Sequence, residues 1–407
     1  MTIAERLKEY FDYQTATVTT ALVIIGLVSI YSATYDAGLS TIAFRQVVWA
    51  IAGIIGLFIV GFLPFRLLQR IAFPSYFLSI LMLATVLLIG KTVSGSQSWF
   101  NLGPLRVQPS EFAKISTALT LSAYLSRSDV SMRNIKNLGL AAVIVFGPVI
   151  LILLQPDLGT ATIYLAMFLP VLYWGGASGF TLISIIAPPV VCIAALFGVT
   201  PFLVSVVGLG LILYLLKQNR LLAAVVFSLT VLMGISVQFI RDGLRPYQQK
   251  RIETFLDPTA DPRGAGYNVL QSKVAIGSGG LLGKGYLKGT QTQLNFIPEQ
   301  WTDFIFCVPG EEFGFLGAAT VLILFLFLLI RGVGIASAAK SRFASFLAIA
   351  ITGILLPHVF INIGMSLGLL PVIGVPLPFM SYGGSALLTN MVMMGLLMNL
   401  YANRKEY

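Results

Sequence analysis

Long apolar runs, each about the length of a bilayer crossing, recur along the chain between short polar breaks. They lie near 15–34, 46–64, 71–90, 109–126, 138–155, 159–175, 179–198, 201–216, 221–240, 313–331, 343–366 and 383–401. A helix needs about 20 apolar residues to cross the hydrocarbon core. The pattern therefore predicts an all-α polytopic membrane protein with about 12 transmembrane helices, the run at 201–216 being the shortest. One break is different in kind: residues 241–310 form a long polar loop within a single integral membrane domain spanning 1–407.

Composition supports lipid as the solvent. The chain is 57% hydrophobic and 10% charged, with a mean hydropathy of +0.89, whereas soluble domains are roughly a quarter charged. Its +10 net charge is scattered through short loops, and no basic, aromatic-interleaved stretch argues for nucleic-acid binding. Two distant cysteines, Cys192 and Cys307, and one histidine exclude a disulfide framework and a Cys/His metal site.

Sidedness follows from Lys and Arg in the short connections. With a cytoplasmic N-terminus, the cytoplasmic loops carry Arg66 and Arg70, then Arg127, Arg133 and Lys136, then Lys217 and Arg220, then Arg331, Lys340 and Arg342. The C-terminal tail, with Arg404 and Lys405, falls on the same side, and the alternate loops at 35–44, 156–158 and 199–200 contain neither residue type. The segments 91–108 and 241–310 then face outward. The second holds eight Lys or Arg, a local exception that a long loop permits and that an anionic ligand at the outer surface would explain.

Candidate chemistry gathers at a few interruptions. In Gln108-Pro-Ser-Glu-Phe-Ala-Lys114, Pro109 marks a helix start, with Ser110 as its expected cap. Glu111 and Lys114 share one face, either as a structural ion pair or as the polar wall of a cavity. Asp157, at a short turn, fits an N-cap. At the end of the long loop stand Glu299, Asp303, Glu311 and Glu312. The last two fit the start of the following helix. Asp303, among Trp301, Phe304 and Phe306, is left as the candidate general base. Prolines and glycines in 374–384 break the last apolar text, as in a re-entrant segment lining a cavity. His358, in a span that also holds Asn362, receives no role from sequence.

These motifs together resemble the SEDS family (shape, elongation, division, sporulation). They include Gln-Pro-Ser-Glu-x-x-Lys, Gln-Pro-Asp-Leu-Gly-Thr, Thr302-Asp-Phe-Ile-Phe306 and Pro376-Leu-Pro-Phe-Met-Ser-Tyr-Gly-Gly384. Residues 285–296 are closer to the elongation branch than to the division branch. The resemblance implies an inverting peptidoglycan glycosyltransferase of the bacterial inner membrane that polymerises lipid II. It also implies a class B penicillin-binding protein as partner. Asp303 takes the family's essential loop aspartate, Trp99 its outer-loop tryptophan, and Glu111 with Lys114 its cavity pair. Substrate-binding candidates beside these are Arg245, Lys250, Arg251, Lys273 and Glu299; the basic ones would meet a diphosphate, for which a divalent cation (Mg or Mn) could assist.

The chain departs from the family in two places. Trp301 stands where a histidine is usual, which argues against a catalytic histidine there. The family usually has ten spans, and 179–240 supplies three where one is usual, so about 199–220 is expected to belong to a two-helix insertion that preserves the loop's sidedness. The competing readings are a flippase for lipid-linked precursor and a non-catalytic scaffold for the penicillin-binding protein. The scaffold would leave Asp303 and Glu111 dispensable, and the concentration of polar chemistry on one side speaks against the flippase.

Overall fold

The computed structural model describes residues 11–36, 38–93, 95–103, 105–216, 219–243, 265–294, 296–298 and 300–405. Every predicted apolar run is a helix. In chain order these are α1 (Tyr13–Tyr35), α2 (Ser40–Gly61), α3 (Phe65–Ile89), α4 (Pro109–Leu125), α5 (Ile135–Leu154), α6 (Leu158–Trp174) and α7 (Gly179–Leu196). They are followed by α8 (Val199–Leu215) and α9 (Arg220–Gly243). Three short helices, α10 (Ala265–Ser278), α11 (Thr290–Gln293) and α12 (Cys307–Glu312), fold the described part of the long loop. The chain closes with α13 (Gly314–Ala338), α14 (Arg342–Ser366) and α15 (Gly384–Ala402).

Among the described residues nine helices are long and apolar enough to cross a membrane, and α6 and α8 are shorter apolar helices. The remaining one, α4, carries Glu111 and Lys114 in its first two turns. Burial separates centre from periphery: 78% of the apolar window of α14 and 72% of that of α15 are buried, against 11% for α9. The two centre helices therefore pack mostly against protein, while the described surface of α9 is largely uncovered by this chain. Helices α7, α8 and α9 pack on one another around their own apolar cluster of Ala187, Val191, Leu209 and Leu213.

Residues 91–107 form an antiparallel sheet of β1 (Lys91–Val93), β2 (Ser96–Leu102) and β3 (Leu105–Val107), in that order. Lys91 pairs with Trp99, and Phe100 with Val107. This small sheet adds to the helical body. The alternation of such short strands is too brief to be read from sequence.

The expected break in 374–384 is present, and its residues line a cavity. Between α14 and α15 the chain runs as turns and extended backbone from 367 to 383, with Gly374 and Phe379 in the left-handed region at φ 72° and 65°. The segment presses on α1 at Gly26, where an added Cβ would sit 2.6 Å from Met380 Cα and 2.7 Å from the Phe379 oxygen. Only glycine admits that approach.

Glu311 and Glu312, expected at a helix start, instead end α12 and serve other elements. The buried Glu311 carboxylate accepts from the Gln291 and Thr292 amides at 2.9 Å each, from Thr292 Oγ1 at 2.7 Å and from Lys284 Nζ at 2.8 Å. It thereby caps α11. Glu312 accepts from Ser32 Oγ and from Gln293 Nε2, and Gln300 Nε2 donates to the Ala33 oxygen at 3.0 Å. The described loop is thus fastened to the end of α1. Burial alone would raise the Glu311 pKa, but the bonds from Lys284, Gln291 and Thr292 outweigh it and hold the group below the ordinary 4.5.

Two outcomes follow for stability. Gly26→Val should lower unfolding free energy by about 1–3 kcal/mol through overpacking, read as an earlier thermal transition of the detergent-solubilised protein. Glu311→Gln should cost ~1.5–3 kcal/mol, as expected for charge-assisted hydrogen bonds. Because its pKa is depressed on folding, the wild-type advantage is complete above pH 4.5 and fades as the pH falls through the lower folded value. Denaturant titrations of both proteins across that range check it, and a difference independent of pH would contradict the clamp.

Candidate active site

Five elements converge on a cavity of about 290 Å³ lined by Trp99, Glu111, Asp157, Asp303 and His358. Trp99 arrives on β2 and is half-buried. Asp157 N-caps α6, accepting from the Thr160 amide at 3.0 Å and from Thr160 Oγ1 at 2.8 Å, so its expected role holds. It also accepts from Gln108 Nε2 at 3.0 Å, which ties the start of α4 to that of α6.

Helix α4 starts at Pro109 with Gln108 as the cap residue. Ser110, expected as the cap, is inside the first turn and buried, because proline takes the first position. Its carbonyl oxygen accepts from Tyr164 of α6 at 3.0 Å. This fixes the next residue, Glu111, whose placement in the first turn favours a negative charge. Lys114 Nζ donates to Glu111 Oε1 at 2.9 Å and to His358 Nε2 at 3.0 Å. Glu111 is 3% exposed and Lys114 1%, so this pair is buried and depends on its hydrogen bonds. Glu111 Oε2 has no partner among the described residues, while its side chain lines the cavity. Lys114 lies behind the lining and reaches the cavity through Glu111 and His358.

Asp303 occupies a half-buried turn before α12. Three successive carbonyls of this turn are held by donors from α14 and the segment that follows it. Tyr382 N donates to the Trp301 oxygen at 2.8 Å, Ser381 Oγ to the Thr302 oxygen at 2.6 Å, and Asn362 Nδ2 to the Asp303 oxygen at 2.8 Å. The backbone of the candidate base is thereby set by α14 and the re-entrant segment, and the carboxylate lies near Gly374: a Cβ there would be 3.6 Å from Asp303 Oδ2. Trp301 packs half-buried against the main core.

The other site candidates fall elsewhere. Lys273 is exposed on α10 and lies across the turn at Gly368, where a Cβ would meet Lys273 Cε at 2.2 Å; it does not line the cavity. Arg245, Lys250, Arg251 and Glu299 lie outside the described residues. Asn362, Ser381 and Gln108 were not singled out from the sequence; the first two mark themselves only as polar residues in apolar text. Cys307, which pairs with Ser272 Oγ at 2.9 Å, is no nucleophile: burial pushes its thiol up to about 12.

A second concavity, about 440 Å³, is apolar and lies between α2, α3, α4 and α15, with Val60, Ile71, Met82, Phe112, Ile115 and Leu396 among its walls. Helix α4 therefore separates a polar cavity from an apolar groove.

This arrangement has close counterparts. The FtsW/RodA/SpoVE cell cycle protein family matches residues 13–208 and 197–406. The peptidoglycan glycosyltransferase MrdB of Escherichia coli is 36% identical over 98% of this chain and 95% of its own length. The peptidoglycan glycosyltransferase RodA of Treponema pallidum is 34% identical over 97% of this chain and 98% of its own. A solved structure described as a peptidoglycan synthase complex coordinating polymerization and crosslinking superposes with a TM-score of 0.75 at 29% identity, covering 98% of this chain and 99% of that one. Matched from end to end in sequence and in fold, this multi-pass membrane protein belongs to the SEDS family, the FtsW/RodA/SpoVE cell cycle proteins.

Proposed function

We propose that this chain is a peptidoglycan glycosyltransferase that polymerises lipid II, with Asp303 as the general base. The activity rests on full-length relatives that carry it. The role of Asp303 is supported by one observation: the carboxylate lines the same cavity as Trp99 and Glu111, on a turn braced at three consecutive carbonyls. In the reaction, the acceptor's sugar C4 hydroxyl attacks the donor's anomeric carbon. Its proton passes to the Asp303 carboxylate, and the bond from that carbon to the polyprenyl diphosphate oxygen breaks with inversion. General-base help of this kind contributes about 10²–10⁴-fold.

The remaining residues divide the other tasks. Glu111 contributes a polar wall to the cavity, and Trp99 offers an apolar face to the head group. Arg245, Lys250 and Arg251 are proposed to meet the diphosphate end, balancing charge that develops on the leaving oxygen. The apolar groove on the other side of α4 suits the polyprenyl chain. Among the described residues no group of three or more His, Cys, Asp or Glu could hold a metal ion. A Mg or Mn ion arriving with the diphosphate would need only one or two carboxylates from the protein.

We further propose that both termini are cytoplasmic and that the cavity opens outward, from the basic connections of the sequence. A class B penicillin-binding protein is the proposed partner, supported by the likeness to a synthase that couples polymerization to crosslinking. The separate packing of α7, α8 and α9, and the boundary between the two family matches at 197–208, support an added pair of helices within 179–240.

Asp303→Asn in purified full-length protein should reduce glycan strand synthesis from lipid II by at least about 10²-fold without shifting the thermal transition. Strands at the wild-type rate on a gel would sink the assignment. Lys114→Met should destabilise by about 3–5 kcal/mol, because it leaves a buried carboxylate unpaired. The double variant Glu111→Gln/Lys114→Met should recover most of that stability yet stay inactive, and recovery of polymerisation along with stability would make the pair purely structural.

A further inference from the structure

The only histidine of the chain makes two bonds that fix its chemical state. Its Nδ1 lies 3.1 Å from the Pro376 oxygen, and its Nε2 lies 3.0 Å from Lys114 Nζ. A carbonyl can only accept and an ammonium can only donate. The ring is therefore the neutral tautomer with its proton on Nδ1, and its Nε2 lone pair receives the lysine.

One helical turn further along α14 stands Asn362, on the same face. Its amide nitrogen donates to the Asp303 oxygen and to the Val375 oxygen, both at 2.8 Å. Two oxygens are served, so the amide orientation is fixed as well. Each residue thus spends one bond on a carbonyl of the re-entrant segment, Val375 or Pro376, which are neighbours in the chain. Each spends the other on a charged residue of the site: His358 on the Lys114 ammonium, Asn362 on the backbone of Asp303. Both side chains are buried, at 3% and 0% exposure.

We propose that His358 and Asn362 form a bracket of positioning residues for glycosyl transfer, holding the Lys114–Glu111 pair and the Asp303 turn at a set separation through one shared stretch of backbone. The catalytic part of this proposal rests on the reading of Asp303 as the base; the tautomer and the coupling do not. An ångström of misplacement at a reacting centre can cost 10²-fold in rate, which is the scale on which such a bracket acts.

The single histidine makes the first test direct. In full-length protein labelled with ¹⁵N-histidine, one ring should appear, with Nδ1 protonated and Nε2 unprotonated, and Lys114→Met should move the Nε2 resonance. An imidazolium or the opposite tautomer overturns the bracket. Kinetics give the second test. His358→Phe and Asn362→Leu should each lower kcat for lipid II polymerisation per folded molecule by about 10–100-fold, with KM little changed. His358→Gln, which keeps an acceptor for Lys114, should recover part of the loss.

The double variant should be no worse than the poorer single one, as expected for residues acting through one element. Fully multiplicative losses, or losses that merely follow the folded fraction, overturn the proposal. If Asp303→Asn stays active while these signatures persist, the reading of Asp303 fails and the bracket stands.

Discussion

Non-helical backbone at membrane depth must find hydrogen-bond partners inside the protein, because lipid supplies none. The segment between α14 and α15 meets this demand with side chains that also hold the site. Val375 and Pro376 oxygens are taken by Asn362 and His358, and the Leu377 amide donates to Ser381 Oγ at 2.8 Å. Ser381 in turn donates to the Thr302 oxygen, next to the proposed base. The requirement to satisfy a broken segment and the requirement to place a carboxylate are therefore met by the same few bonds. Disturbing either disturbs both.

The charge arrangement follows a similar economy. A lysine and a glutamate buried in an apolar bundle are costly unless paired and fully bonded. Here the lysine is bonded to Glu111 and His358, while one carboxylate oxygen lacks a partner among the described residues. Helix α4 thus has two faces of different chemistry, with Glu111 at the polar cavity and Phe112 and Ile115 at the apolar groove.

How much of this could be read from the sequence depended on the length scale of each signal. All the apolar runs became helices, even the short one at 201–216, because length and hydropathy are summed over many residues. Asp157 as a cap and the break at 374–384 were also legible, since each needs only local residue chemistry. What failed depended on contacts between distant segments. Glu311 was assigned to the next helix, yet it caps α11, twenty residues earlier at Gln291. Ser110 was displaced from the cap by Pro109 beside it. Lys273 shares the loop with Asp303 but lies over Gly368. His358 and Asn362 carried no local signal at all, because their partners come from α4, the loop and the re-entrant segment.

Helix α1 shows how the pieces acquire a common frame. At its start the buried Asp12 caps the helix and takes two bonds from Arg331 of α13, at 3.1 and 2.9 Å, while that guanidinium also lies 4.7 Å from the centre of the Tyr401 ring of α15. Midway, Gly26 receives the re-entrant segment. At its end Ser32 and Ala33 receive Gln293, Gln300 and Glu312 from the loop. One straight element thus registers the helices, the re-entrant wall and the loop against each other. The Asp303 turn is reached from this frame by two independent routes, through the loop and through the re-entrant segment. A site anchored twice to one helix cannot shift without breaking buried bonds on at least one of them, and that is the preorganisation a transferase without a covalent intermediate requires.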